Sequence, residues 1–300
     1  VEDDSLRLTR GGVAYLNQDA SAFGPDFGAG GSPSLRGTLR DVARGVPDPG
    51  GSGSVYEQWR LQEALADSLE PAMGDPGGGS DFAGFYNHLG IPHLDWGFGG
   101  PYGVYHSQYD NFTWMSRFGD PQFTRHAATA SVGAALVLRL ANADVLPYDY
   151  VEFARTMRGY VPAMETAARG KGWEVSMTPL SEAIGRMETA AAAFQQARDG
   201  RLASGAPAAG VLARTNAALM RVERALTRPE GLRTRPWFRG LIYAADENNG
   251  YSNVVFPSVV EAIRAADQPL TEREVADLAT RFDAAAAALD EARQALGATR

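Results

Sequence analysis

The sequence predicts an α/β segment followed by an all-α helical bundle, on the basis of three observations. Short apolar runs that end in polar loops alternate with helical patterns in the first part of the chain. The 34 glycines and 17 prolines among 300 residues are concentrated before residue 120, which indicates a loop-rich region. Beyond residue 150 the apolar residues recur at alternating spacings of three and four, which is typical of a helical bundle.

Two apolar runs in the first part of the chain are predicted to be buried strands. Residues 13–17 follow a glycine pair and end in a polar loop, and residues 91–98 precede a long loop rich in tyrosine and glycine. Because open α/β sheets place their chemistry at the carboxyl ends of strands, the polar loop after the first strand is a candidate site. Helices are predicted at residues 34–43, 55–69, 81–89 with Ser80 as N-cap, and 121–142 with Asp120 as N-cap and Pro121 at the first position.

Long amphipathic helices are predicted in the second half of the chain. One begins at Thr178 and Pro179, and a capping box of Thr271 and Glu274 is predicted to begin the last. This pattern predicts an antiparallel bundle, interrupted by a non-helical insert at residues 235–257. The apolar seams of these two helices consist of Leu180, Ile184, Met187, Ala191 and Phe194, and of Val275, Leu278, Phe282, Ala285, Leu289, Ala292 and Leu296.

Composition excludes several classes of function. The chain contains no cysteine, which excludes a disulfide framework, thiolate metal ligands and a cysteine nucleophile. Its net charge is −8, and it has no block of lysine or arginine, which argues against a nucleic acid or an anionic membrane as partner. No apolar run reaches the roughly 18 to 20 residues that a membrane span needs.

Asp19 and His106 are the candidate functional residues that the residue pattern itself offers. Asp19 follows a predicted strand, where a turn-forming role is the alternative interpretation, and His106 lies in a loop among tyrosines and polar residues. Two ligands do not hold a catalytic zinc ion, which takes three protein ligands and an open position. The other histidines are predicted to have structural roles: a surface or capping role for His88, a hydrogen-bonded pair with Asp95 for His93, and a satisfied core or interface position for His126.

Five segments, taken together and in order, carry a family resemblance. They are GVAYLNQDAS at residues 12–21, GSDFAGFYNHLGIP at 79–92, GVYHSQYDNFTWMSRFGDP at 103–121, RLANADVLPYDY at 139–150 and RPWFRGLIYAADENNGYSNVVFP at 235–257. The chain resembles the glutamate carboxypeptidase II, prostate-specific membrane antigen and transferrin receptor-like family of M28 zinc peptidases. The resemblance implies that residues 1–143 are the C-terminal part of an α/β/α zinc peptidase domain and residues 144–300 a transferrin receptor-like dimerisation domain, so that we expect a homodimer.

The resemblance also implies roles in hydrolysis for three residues. Asp19 matches the aspartate of the family's N-x-D motif, which binds one of two zinc ions, and His106 matches the histidine that binds the other. Tyr105 matches the tyrosine that helps to polarise the scissile carbonyl. The family's general base and remaining ligands precede the N-x-D motif, so we expect this chain to be inactive alone and to bind zinc weakly or not at all.

Further residues match the family's substrate cleft. Gly79 and Ser80 fall on the glycine loop that lines the cleft, and Tyr251 falls on the tyrosine directed at the terminal carboxylate of the substrate. A peptide substrate is therefore expected. Relatives in this family act outside the cytoplasm, so an extracytoplasmic location is also expected.

Three positions depart from the glutamate-specific pattern. Asp95 and Gly97 occupy positions of the arginine patch that binds acidic groups, and Gly250 occupies the position of the lysine that binds the glutamate side chain. The loss of cations and the gain of an acid predict weaker binding of acidic substrates and favour neutral or basic ones.

The sequence leaves two other classes of function open. A non-catalytic, transferrin receptor-like protein kept for dimerisation and binding is the main alternative, and the presence of both Asp19 and His106 favours the enzyme. A self-sufficient binding module is the third, and it is disfavoured because its sheet would expose unpaired edges.

Overall fold

A mixed three-stranded sheet lies in the first third of the chain in the computed structural model, which describes residues 1–66 and 68–298. Strand β1 is Tyr15–Asn17, β2 is Asp26–Gly31 and β3 is His93–Gly99. The central strand β3 pairs in parallel with β1 and antiparallel with β2. The apolar runs correctly predict β1 and β3, whereas β2 lies in a glycine-rich segment predicted to be loop.

The two faces of β3 have different environments. Leu94, Trp96 and Phe98 point to one face and are buried in the core, where α-helices cover the sheet. The indole nitrogen of Trp96 donates a hydrogen bond of 3.1 Å to the carbonyl oxygen of Thr129 on one of these helices. His93 and Asp95 alternate with these residues and line a cavity on the opposite face.

Helices make up most of the remaining described chain. Those before residue 142 are α1 (Ser5–Gly11), α2 (Pro33–Gly45), α3 (Val55–Gln62), α4 (Phe112–Trp114) and α5 (Thr124–Ala141), with π-helical turns at Gly84–His88 and Met115–Gly119. Those after it are α6 (Tyr150–Gly170), α7 (Thr178–Ala203), α8 (Ala209–Ala225), α9 (Pro257–Arg264) and α10 (Gln268–Gly297). Within the described ranges no helix combines the length and apolarity needed to cross a membrane. We call residues 1–142 the sheet region and residues 150–297 the helical region.

The long helices pack as the seam pattern predicts. α10 lies against both α7 and α8, and α6 lies against α7. Every residue of the two predicted seams is buried, and Phe282 in the middle of α10 is completely inaccessible to solvent. The alternating spacing of three and four therefore identifies the buried faces of α7 and α10.

The helical region is not all-α, which corrects the predicted fold class in one respect. A two-stranded antiparallel hairpin, β4 (Tyr243–Ala245) and β5 (Asn253–Val255), lies between α8 and α9. Arg235 attaches this hairpin to α9, because its guanidinium donates a hydrogen bond of 2.7 Å to the carbonyl of Ala245 and pairs with Glu261. The hairpin thus occupies the predicted non-helical insert.

Several predicted helix ends are wrong, and at the starts of α5 and α10 the capping side chains bind other backbone groups than expected. α5 begins at Thr124, and Asp120 accepts hydrogen bonds of 3.0 Å from the backbone nitrogens of residues 125 and 126. α10 begins at Gln268, where Asp267 is the N-cap, so Thr271 and Glu274 form no capping box. α3 ends at Gln62, earlier than the predicted residue 69, and residue 67 of that prediction lies outside the described residues.

Buried polar contacts join the helical region to the sheet region. The hydroxyl of Ser34 on α2 donates a hydrogen bond of 2.5 Å to the carboxylate of Glu223 on α8. Arg224 on α8 donates a hydrogen bond of 2.6 Å to the backbone carbonyl of Gly12. In the segment between the two regions, the hydroxyl of Tyr148 donates to the backbone carbonyl of Val13, also at 2.6 Å. Burial raises the pKa of Glu223 from 4.5 to about 7, although Ser34 and Arg224 oppose this shift.

Glu223 therefore makes the stability of the protein depend on pH. A carboxyl group whose pKa is higher in the folded state contributes stability in full below pH 4.5, and this contribution is lost as the pH rises through about 7. For Glu223→Gln we expect the difference in free energy of unfolding from the wild type to change by about 3 kcal/mol between pH 4.5 and pH 8. Urea denaturation across this range measures it. Glu230→Gln, at an exposed position, serves as the control, and parallel profiles for Glu223→Gln and the wild type would contradict the prediction.

Candidate functional site

A cleft of about 720 Å³ lies where the sheet region meets the hairpin of the helical region. The strand ends of β1 and β3, a glycine loop at residues 77–79 and the loop between β4 and β5 surround it. Five of the six residues that the resemblance implies line this cleft, namely Asp19, Gly79, Ser80, Tyr105 and Tyr251. A second cavity, of about 790 Å³, lies between α2, α5 and α7 and is lined by none of them.

Asn17 organises the inner wall of the cleft. Its side chain is buried at the end of β1, and its amide nitrogen donates hydrogen bonds of 2.9 Å to the hydroxyl of Ser80 and 2.7 Å to the carboxylate of Asp95. Ser80 therefore binds a tertiary partner and is no N-cap, and the predicted helix after it is only the π-helical turn Gly84–His88. The sequence identifies Asn17 as the first residue of the N-x-D motif but gives no sign of these contacts.

Asp95 is the carboxylate most strongly affected by its surroundings in the cleft. Burial raises the pKa of Asp95 to about 6, the hydrogen bond from Asn17 opposes this shift, and the nearby charge of Asp19 adds to it. Among the described residues that line the cleft there is no lysine or arginine. Asp19, Asp75 and Asp95 contribute three carboxylates, of which that of Asp75 is paired with Arg36 at 2.7 Å. The chemistry of this wall favours neutral or cationic groups over anionic ones.

Tyr105 and Tyr251 form a pair at the mouth of the cleft. They belong to the sheet region and the helical region respectively, and their side chains are 50% and 64% exposed. A hydrogen bond with Tyr251 raises the pKa of Tyr105, with smaller contributions from desolvation and from the charge of Asp19. The hydroxyl of Tyr105 is therefore protonated at neutral pH and is able to donate a hydrogen bond to a carbonyl oxygen.

His106 lies outside the lining of the cleft. Its backbone has a φ of +56°, and its exposed ring stacks on the neighbouring Tyr105 with 3.8 Å between ring centroids. No group of three or more His, Cys, Asp or Glu side chains among the described residues is arranged to hold a metal ion. Because a catalytic zinc takes three protein ligands, Asp19 and His106 do not fit a zinc ion on their own.

The glycine loop packs directly against the loop that carries Tyr251. Gly79 has a φ of +84°, and a Cβ atom there would lie 2.7 Å from the ring of Tyr251. A Cβ atom at Gly78 would lie 2.0 Å from the backbone oxygen of Gly250. Only glycine allows this approach, which brings Tyr251 to the cleft.

The other histidines differ in part from their predicted roles. His88 is buried and stacks on Trp237, so the predicted surface role is wrong. His93 is also buried and stacks on Phe82 at 4.1 Å, and its Nδ1 atom has no hydrogen-bond partner, so the predicted pair with Asp95 is wrong. His126 is satisfied by a hydrogen bond of 2.8 Å to Asp120 at the partly exposed start of α5.

Comparison with known proteins finds both a domain family and relatives. Residues 175–290 match the transferrin receptor-like dimerisation domain. The chain is 37% identical over 265 residues to the probable glutamate carboxypeptidase LAMP1 of Arabidopsis thaliana, an alignment that covers 88% of the chain and 37% of the relative.

Two further relatives have related names. Identity to the probable glutamate carboxypeptidase AMP1 of Arabidopsis thaliana is 33% over 298 residues, covering 96% of the chain and 41% of the relative. Identity to the aminopeptidase NAALADL1 of Rattus norvegicus is 27% over 283 residues, covering 89% of the chain and 37% of the relative. The chain thus spans about two fifths of the length of these curated relatives.

The stability of a Gly78→Ala variant tests the close contact between the glycine loop and the hairpin loop. Gly78→Ala places a methyl group against the backbone of Gly250, so we expect it to lower the free energy of unfolding by about 1 to 3 kcal/mol. Gly103→Ala is the matched control, because a Cβ atom there has no neighbour within 4 Å. Denaturation curves that show equal stability for the two variants would contradict the close packing.

Proposed function

The chain belongs to the glutamate carboxypeptidase and transferrin receptor-like family, and on that premise we propose that it forms part of an exopeptidase that binds its peptide substrate in the cleft. One observation carries this proposal. Residues from four separate parts of the chain, at positions 19, 79–80, 105 and 251, converge on one cleft. Such convergence of polar groups in a concave site is typical of substrate binding.

The proposed roles follow from the chemistry of each group. Tyr105 donates a hydrogen bond to the carbonyl oxygen of the bond to be cleaved, which supports attack by water. Gly79 and Ser80 bind the substrate along the cleft wall, and Tyr251 binds its terminal carboxylate. Hydrogen bonds from the neutral hydroxyl groups of Ser80, Tyr105 and Tyr251 orient a peptide without a cation in the wall.

Asp19 and His106 are the residues of this chain that we propose as zinc ligands. We propose that each contributes one ligand to one of two zinc ions and that both ions need additional ligands. The M28 class, the two zinc ions and the inactivity of this chain alone are part of the same proposal. Extracytoplasmic location is proposed from the family resemblance.

The charge of the cleft supports a proposal about substrates. Asp95, Gly97 and Gly250 stand where the glutamate-specific pattern has cations, and the described lining contains carboxylates without a lysine or arginine. We therefore propose neutral or basic peptides as substrates. The relatives are named as carboxypeptidases and as an aminopeptidase, which supports hydrolysis at the end of a peptide and is compatible with either end.

Hydrolysis by the full-length protein that contains this chain tests the function. We expect a higher kcat/KM for an N-acetylated dipeptide with uncharged side chains than for N-acetyl-aspartyl-glutamate. We also expect loss of activity on treatment with a zinc chelator. Asp95→Asn should raise kcat/KM for the acidic substrate by about 3- to 10-fold, because it removes one charge from the wall. Asp81→Asn, next to the cleft but outside its lining, is the control. Faster cleavage of N-acetyl-aspartyl-glutamate by the wild type would rule out the proposed substrate class.

A non-catalytic, dimerising protein is the alternative function. The domain family that matches residues 175–290 favours association, and two zinc ligands without a third in the described chain are compatible with a binding role. Absence of hydrolysis for all peptide classes, in a protein shown to be folded, would favour this alternative.

Homodimer formation is proposed for both functions. The dimerisation domain family suggests it, and the matched residues include α7, α8, α9 and most of α10. We expect light scattering on the full-length protein to give twice the mass of one chain at micromolar concentration. A monomer mass over the same concentration range would contradict the prediction.

A further inference from the structure

Asp75 lies just before the glycine loop in the chain. Three side chains from other parts of the protein donate hydrogen bonds to it. Its Oδ1 atom accepts from the guanidinium of Arg36 at 2.7 Å and from the hydroxyl of Tyr243 at 3.1 Å. Its Oδ2 atom accepts from the hydroxyl of Tyr160. Both carboxylate oxygens of Asp75 are thus satisfied by donors that hold it in one orientation.

The donors come from separate parts of the fold. Arg36 lies on α2 in the sheet region, Tyr160 lies on α6 and Tyr243 begins β4, both in the helical region. The side chains of Asp75 and Arg36 are only 18% and 9% exposed, and Tyr243 is completely buried. Because few water molecules compete with these donors, the network fixes the sheet region and the helical region relative to each other at this point.

Asp75 is connected both to the glycine loop and to the hairpin, the two segments whose contact brings Tyr251 to the cleft. Gly79, which packs against the ring of Tyr251, follows Asp75 by four residues in the same loop. Tyr243 belongs to the strand that leads into the loop carrying Tyr251. The hydrogen bonds to Asp75 therefore hold the glycine loop next to the hairpin.

We propose that Asp75 is a positioning residue that holds Tyr251 in the substrate cleft, an inference that rests on the proposed function of that cleft. Asp75 acts through the glycine loop and through Tyr243. Its replacement releases the loop at residues 246–252 and weakens binding of the substrate group that Tyr251 contacts.

Glu223 provides a matched comparison for Asp75. It too is a carboxylate that joins α2 to the helical region, through its hydrogen bond from Ser34. Glu223 does not line the cleft and contacts neither the glycine loop nor the hairpin loop through any hydrogen bond that the structure records. If substitution of either carboxylate only loosens the junction between the two regions, Asp75→Asn and Glu223→Gln should have similar effects on substrate binding. If Asp75 positions Tyr251, only Asp75→Asn should weaken substrate binding.

Hydrogen–deuterium exchange and steady-state kinetics on the full-length protein test the proposal. In Asp75→Asn the amide nitrogen cannot accept the hydrogen bond of Tyr160, and we expect exchange in residues 246–252 to be about 5-fold faster or more. For a peptide with uncharged side chains, KM should rise about 5- to 10-fold with kcat nearly unchanged, because Tyr251 binds substrate and transition state alike. Glu223→Gln should leave both readouts within about twofold of the wild type.

Two further variants extend the test, and the first of them makes it independent of the folding of Asp75→Asn. Tyr160→Phe removes one donor outside the glycine loop and should produce the same changes to a smaller extent. In a Tyr251→Ala background, Asp75→Asn should cause no further increase in KM, because its effect passes through Tyr251.

The results separate this proposal from the proposed function. Wild-type exchange of residues 246–252 in Asp75→Asn and Tyr160→Phe overturns the positioning role, as does an unchanged KM in a protein that hydrolyses peptides. If the full-length protein hydrolyses no peptide, the proposed function fails, and the exchange rates still decide the role of Asp75.

Discussion

Carboxylates between α2 and the helical region constrain the structure. A partly buried carboxylate loses part of its hydration, so the donors around Asp75, whose side chain is 18% exposed, stabilise its charge and the position of the elements that carry them. Those donors belong to α2, α6 and β4, and the single carboxylate therefore fixes three elements at once. Glu223 makes a comparable contact between α2 and α8. The relative position of the two regions follows from these contacts as well as from apolar packing.

The cleft depends on this arrangement because it lies between the two regions. Its inner wall is built by Asn17, Ser80 and Asp95, whereas Tyr251 comes from the helical region and meets Tyr105 across the mouth. If the cleft binds a peptide, the helical region contributes to recognition in addition to association. The carboxylates of the cleft and the absence of a lysine or arginine among its described lining residues give the wall a negative character. This character distinguishes it from a site built for acidic groups.

The sequence predicts those features of the fold that depend on local periodicity. The seams of α7 and α10 and the strands β1 and β3 are found where the apolar patterns indicate them. Predictions fail where a side chain has a distant partner. Ser80 binds Asn17 and so does not cap a helix, and Asp95 also binds Asn17 and so does not pair with His93. Strand β2 was missed because its sequence, DFGAGG, has little intrinsic strand preference and becomes a strand by pairing with β3.

The sequence alone predicts the helical seams, excludes thiolate chemistry and carries the motifs that are similar to the glutamate carboxypeptidase and transferrin receptor-like family. Through this resemblance the motifs also indicate six candidate site residues. The packing of the elements places five of these residues in the lining of one cleft and His106 outside it. It also leaves the described residues without a group of three side chains able to hold a metal ion. This difference arises because the spacing of apolar residues depends on which face of a single helix or strand is buried. Distances between residues far apart in the chain are set by packing between elements, as the close approach of Gly78 to Gly250 illustrates.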